Sequence, residues 1–115
     1  MTDCIFCKIA NKELPAEMVL ETDDFIAFND ISPAAPTHIL LVPRKHIPTL
    51  NDLSEGDETL LARMTEAAVQ LARDQGVDDS GYRVVVNCNR EGGQEVYHLH
   101  MHLLGGRPLG GMTSR

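Results

Sequence analysis

The segment His98-Leu99-His100-Met101-His102 alternates histidine with an apolar residue, and Leu103 carries the alternation on. In an extended strand alternate side chains share a face, so Leu99, Met101 and Leu103 are predicted to enter a core while three imidazoles line the other side. At roughly 3.3 Å per residue, neighbouring histidines lie about 7 Å apart at Cα and the outer pair about 13 Å apart. All three cannot easily share one metal ion. A His-x-His pair can give two ligands to a zinc whose other ligands come from elsewhere. Alternatively, one imidazole attacks while its neighbours orient a substrate or move protons. A strand that merely carries histidine on its wet side is the bland alternative. It is disfavoured because only His38 and His46 lie outside the row.

The rest of the chain limits the partners. Its 115 residues fit a single domain over 1–115. A formal net charge of −7, with no stripe of Lys or Arg, argues against a polymeric nucleic acid. A small phosphate ester is compatible, because a few N–H groups and imidazoles bind one phosphate whatever the overall charge. No run approaches the roughly 18–20 apolar residues of a membrane helix. The start, Met1-Thr2-Asp3-Cys4, does not resemble a signal peptide, so a cytoplasmic protein without membrane contact is expected. An odd cysteine count of three then favours reduced thiols or metal ligands over a disulfide framework.

Along the chain, residues 4–11 read as a short helix stopped before Leu14-Pro15. Met18–Glu21 and Phe25–Phe28 read as a hairpin about Thr22-Asp23-Asp24. Two prolines in Ile31-Ser32-Pro33-Ala34-Ala35-Pro36 forbid a regular ladder and make that segment a rigid loop. His38–Val42 resumes as a buried strand ended by Pro43. The clearest helix is predicted from Ser54 to Gln75, with Ser54 and Asp57 as a capping box and Gly76 as the stop. Leu60, Leu61, Met64, Ala67, Ala68 and Leu71 form its apolar stripe. A strand over 83–88 and a loop over 89–95 lead into the histidine strand. The pattern predicts an α+β domain: an antiparallel five-stranded sheet with one long and one short helix on one side.

Several groups of residues carry chemistry. Arg90-Glu91-Gly92-Gly93-Gln94-Glu95 is a polar loop that opens onto the histidines. Its glycines can turn backbone N–H groups to an anion at close range, although such a pair alone is equally a turn. Cys4-x-x-Cys7 can give two thiolates to a tetrahedral zinc, with His46 and one histidine of the row as available partners. It can as well be two thiols packed on a short helix. Cys88, in an apolar strand, reads as a buried thiol. Asp30 either accepts hydrogen bonds from a sugar diol or forms a turn. Phe6, Ile9, Phe28 and Ile31 make an apolar slot for a flat ring or serve equally as core.

Taken together, Ser32-Pro33-x-x-Pro36-Thr37-His38-Ile39-Leu40, Asn87, Gly92-Gly93-Gln94-x-Val96-x-His98-x-His100-x-His102-Leu103-Leu104 and Gly105-Gly106-Arg107-Pro108 resemble the histidine-triad superfamily. The resemblance is greatest to its nucleotide-binding phosphoramidase branch in bacterial form, and it spans about Cys4 to Leu109. It implies that family's fold, a homodimer made by joining sheets, and a purine nucleotide site in each protomer. The implied reaction is hydrolysis of purine nucleoside phosphoramidates, with no cofactor required for catalysis.

Carried over residue by residue, the resemblance makes His100 the nucleophile, attacking the α-phosphorus of an adenylated amine to leave a nucleotidyl-histidine that water hydrolyses. Its Nε2 stays unprotonated if Nδ1–H donates to the carbonyl of His98. His102 and the N–H groups around Gly93, Gln94 and Glu95 would hold the phosphoryl oxygens, with Asn87 and Val96 alongside. Asp30 would take the ribose hydroxyls, Ile31, Phe6, Ile9 and Phe28 would surround the base, and His38 would support the triad from behind. Zinc-bearing bacterial members hold a structural zinc on a CxxC, a mid-chain histidine and the first triad histidine, which here are Cys4, Cys7, His46 and His98. Where eukaryotic members have serine after Gly-Gly-Gln, this chain has Glu95, which when ionised accepts but does not donate hydrogen bonds. The competing readings are a dinucleoside polyphosphate hydrolase, a non-catalytic purine nucleotide-binding module, and a metalloenzyme using His98 and His100 as ligands.

Overall fold

The protein is described from a computed structural model that places residues 3–113. Strands β1 (Met18–Glu21), β2 (Phe25–Asn29), β3 (Thr37–Pro43), β4 (Tyr82–Val85) and β5 (Met101–Gly105) form one antiparallel sheet in the spatial order β1-β2-β3-β5-β4. Two helices, α1 (Ile5–Ala10) and α2 (Asp57–Asp74), pack on it. The expected α+β architecture, a five-stranded sheet with one short and one long helix, is therefore present.

The helices cover opposite faces rather than one side. Phe25, Ala27, Ile39, Leu41, Met101 and Leu103 meet Met64, Ala68, Leu71 and Ala72 of α2. The alternate residues Ile26, Phe28, Leu40 and Val42 meet Phe6, Ile9 and Ala10 of α1. Every residue of β3 is buried, so this central strand shows none of the polar alternation that a solvated face would impose. An isolated six-residue helix is unstable in water, and Phe6 and Ile9 anchor α1 by burial worth about 1.5–3 kcal/mol each.

Three boundaries differ from the sequence expectation. The long helix starts at Asp57, not Ser54, because Gly56 adopts φ +96° and breaks the helical path. Ser54 and Asp57 are still joined, but with Asp57 as acceptor of both the Ser54 N–H (2.9 Å) and hydroxyl (3.0 Å). Gly76, at φ +73°, ends the helix as expected. Strand β4 stops at Val85, so Asn87 and Cys88 leave the sheet and Cys88 is only half-buried.

The third difference bears on the site. β5 begins at Met101, and its pairing with β3 ends at Leu41↔Met101, so His98, Leu99 and His100 lie before the ladder. Pro43 has no N–H to offer a further rung, and its carbonyl receives the His98 ring instead. The apolar alternation survives, with Leu99, Met101 and Leu103 all buried. Among the described residues no helix is long and apolar enough to cross a membrane.

Candidate functional site

His38 of β3 and His102 of β5 belong to the α1 face, where Leu40 pairs with His102 and His38 with Leu104. The ring centres of His38 and His102 are 5.2 Å apart, those of His100 and His102 5.0 Å, and those of Phe6 and His100 5.0 Å with the two rings nearly perpendicular. A cavity of about 330 Å³ opens over them, lined by Asp30, Ser32, His38, Asn87, Gly93, Glu95, His100 and His102.

Hydrogen bonds fix which nitrogen of each imidazole carries the proton. The Ala34 N–H donates to His38 Nδ1 at 3.0 Å, which leaves the His38 proton on Nε2. That Nε2–H reaches His102 Nδ1 at 3.0 Å, so a neutral His102 holds its own proton on Nε2. The Ala34 peptide is held in turn, since its carbonyl accepts from Arg107 Nη2 at 2.7 Å. Gly106 is required beside it, because a Cβ there would meet Pro36 Cβ at 2.8 Å. Burial lowers His38, and burial with His100 and His38 alongside lowers His102 to about 4, so both rings are neutral near pH 7. His100 Nδ1–H donates to the His98 carbonyl at 2.7 Å, leaving a lone pair on Nε2. One imidazole thus offers a nucleophilic nitrogen beside another that offers an N–H donor.

His98 departs from the row. Its ring is fully buried and donates Nε2–H to the Pro43 carbonyl at 2.7 Å. The Nδ1 lone pair faces Cys4 Sγ at 3.2 Å, Cys7 Sγ at 3.5 Å and His46 Nδ1 at 3.1 Å. Cys7 Sγ lies 3.2 Å from His46 Nδ1, and the four donor atoms fall within 4.8 Å of one another. A tetrahedral zinc with bonds of roughly 2.0–2.3 Å spaces its ligands about 3.3–3.8 Å apart, so the cluster has nearly the size such an ion needs. Burial and then the neighbouring Cys4 push the Cys7 thiol up to about 11, which a cation among these donors would reverse. The donor set and its spacing fit zinc.

A second group, Asp30, His38 and His102, also converges, with Asp30 Oδ2 3.4 Å from His38 Nε2. Here the nitrogens facing one another already share a proton, so no lone pair from His38 is left for a metal.

The loop before the triad holds residues with different duties. Gln94 is buried and turned inward: its Oε1 accepts from Asn89 N–H at 2.8 Å, and its Nε2 donates to Pro48 O at 2.8 Å and Val96 O at 3.0 Å. It ties the loop to the 43–48 segment, and only its main chain is available to a ligand. Asn87 Nδ2 donates to Gly92 O at 2.7 Å and braces the same loop. Asp30 accepts Ser32 N–H at 2.8 Å. Phe6, Ile9 and Phe28 lie in the core under α1, Val96 packs against them, and Ile31 is 96% exposed. Phe6, Ile9 and Phe28 thus pack together in one cluster, while Ile31 lies at the surface.

Comparison with known proteins bears on this arrangement. The domain family described as "Scavenger mRNA decapping enzyme C-term binding" matches residues 3–114. A purine nucleoside phosphoramidase from Escherichia coli K12 is 54% identical over 112 residues, covering 97% of this chain and 94% of that protein. The crystal structure of a HIT family hydrolase from Legionella pneumophila Philadelphia 1 superposes with a TM-score of 0.91 at 52% identity, covering 94% of this chain and 96% of that one. A Zn-bound histidine triad family protein from Mycobacterium smegmatis superposes with a TM-score of 0.81 at 26% identity, over 98% of this chain and 81% of that one.

Proposed function

This chain belongs to the histidine-triad family, and from that premise we propose that it hydrolyses the P–N bond of purine nucleoside phosphoramidates. The observation that carries the reading is the 2.7 Å bond from His100 Nδ1–H to the His98 carbonyl, which leaves Nε2 as a nucleophile at the cavity. Nε2 bonds to the α-phosphorus as the P–N bond breaks. The amine keeps the electron pair of that bond and takes a proton from solvent. The His98 carbonyl stabilises the imidazolium that forms, while His102 Nε2–H and the loop N–H groups near Gly93 hold the phosphoryl oxygens. Water then breaks the P–Nε2 bond, delivering hydroxide to phosphorus and a proton to solvent, and His100 is restored. Asp30 takes the ribose hydroxyls, and neither half of the reaction calls on a cofactor.

Cys4, Cys7, His46 and His98 would hold a structural zinc, whose contribution is to fix the ring of His98 and, through it, the carbonyl that orients His100. The three free thiols suit a reducing, cytoplasmic setting. A homodimer would form where the sheet edge at β4 accepts a second sheet, since Val84 on that edge is 40% exposed.

Turnover of adenosine 5′-phosphoramidate tests the reading. His100→Ala is expected to lose about 10³-fold or more in kcat, and rapid-quench trapping of labelled enzyme is expected to place the nucleotide on His100. Faster cleavage of diadenosine polyphosphates, or unchanged activity in His100→Ala, would overturn it.

A further inference from the structure

The cavity over the triad has two walls with different chemistry. One is built by Asp30, Ser32 and His38, and the other by Asn87, Gly93 and Glu95. Most polar atoms there are already engaged. Asp30 accepts from Ser32 and faces His38, His38 uses both ring nitrogens, and the Asn87 amide braces Gly92. Apart from the reactive nitrogens of His100 and His102, the charged residue that lines the cavity without a side-chain partner among the described residues is Glu95.

A carboxylate is an odd neighbour for a phosphoryl group. Among the described residues no Lys or Arg lines the cavity, and His38 and His102 are held neutral, so none of these lining groups compensates its charge. Repulsion between Glu95 and the phosphoryl oxygens weakens binding unless the ligand itself brings a cation to that wall. The nucleoside takes the Asp30 wall in the reading above, which leaves the Glu95 wall to the departing amine. We propose that Glu95 is a specificity-determining residue that selects phosphoramidates whose leaving amine carries a second group that is positively charged at neutral pH, such as a diamine or a basic amino acid side chain. This rests on the phosphoramidase reading and narrows its substrate class. The chemical step is unchanged, and the second ammonium is retained by the leaving amine throughout.

Two adenosine 5′-phosphoramidates of matched size test it, one N-substituted with 3-aminopropyl and one with n-butyl. The wild-type protein is expected to prefer the aminopropyl compound by about 10–30-fold in kcat/KM at low salt, with the preference shrinking as salt is added. Glu95→Gln is expected to bring the ratio to within about 2-fold. Glu91→Gln removes an equal charge from the same loop but outside the cavity, and is expected to keep the wild-type ratio. Equal use of both compounds by the wild-type protein, or a preference that survives in Glu95→Gln, overturns the proposal. Hydrolysis of neither compound overturns the phosphoramidase reading beneath it.

Discussion

The two ends of the histidine row use the same kinds of side chain for opposite purposes. At the His98 end, two thiols and two imidazole nitrogens converge with lone pairs directed inward, because the Pro43 carbonyl takes the His98 proton on the far side. At the His102 end, a carboxylate and two imidazoles converge just as closely, yet the Ala34 N–H occupies His38 Nδ1 and forces a proton into the gap between the rings. One corner is short of positive charge and the other is complete. A cluster of ligand-type residues is thus not a metal site by proximity; the backbone group behind each ring decides.

Zinc content gives the largest test of that contrast. One equivalent per chain is expected, and none in Cys4→Ser with Cys7→Ser. The loss should lower unfolding stability by about 3 kcal/mol or more, a fraction of the roughly 10–16 kcal/mol that a zinc-finger peptide draws from its ion. Two equivalents, with the second lost in Asp30→Asn, would break the comparison. Removing the proton bridge at the other end, with His38→Phe, is expected to cost about 100-fold in kcat and leave zinc content unchanged, because His102 is no longer held as an Nε2–H donor.

The third test is pH. The unfolded chain binds a proton on His102 near 6.5, whereas the folded chain resists it until about 4. Between those values the unfolded state carries more protons, so stability is full above about 6.5 and declines as pH falls toward 4. Discounted for the partial exposure of the ring, this amounts to about 2 kcal/mol. His102→Gln should flatten that slope in denaturant titrations, and an unchanged slope would contradict the neutral bridge. Gln94→Met gives the smallest expected effect, about 10-fold in kcat with KM little changed, because the loop N–H groups lose their tie to the 43–48 segment while the core stays filled.

How much of this was legible in the sequence depended on how local each cause is. The alternation of Leu99, Met101 and Leu103 gave the core face directly, since two-residue periodicity is a property of the segment itself. The four metal-type donors were also legible, as thiols and imidazoles advertise their chemistry wherever they lie. The inward turn of Gln94 was not, because its partner Pro48 O is 46 residues away and Gly-Gly-Gln reads as a ligand loop whichever way the amide points. Nor was the division of the helices between two faces, although the unbroken apolar run of β3 is a signal that both faces need cover. The displaced helix start followed from the left-handed Gly56, a backbone state that the Ser54–Asp57 spacing does not reveal. The exposure of Ile31 was not legible either, because an apolar residue in a rigid loop carries no mark of its direction.

The short stretch from Pro43 to Pro48 works as a template of fixed length. Its carbonyls at 43, 47 and 48 receive the His98 ring, the Leu99 N–H and the Gln94 amide, and His46 rises from its middle. Three of those four contacts are made by main chain and so depend on the number of residues, while Arg44 reaches the Thr22 and Ala10 carbonyls, Lys45 reaches Asp57 and Ile47 is buried, which fixes the stretch in place from its side chains as well. A single inserted residue would move the metal corner, the triad and the phosphate loop out of step together.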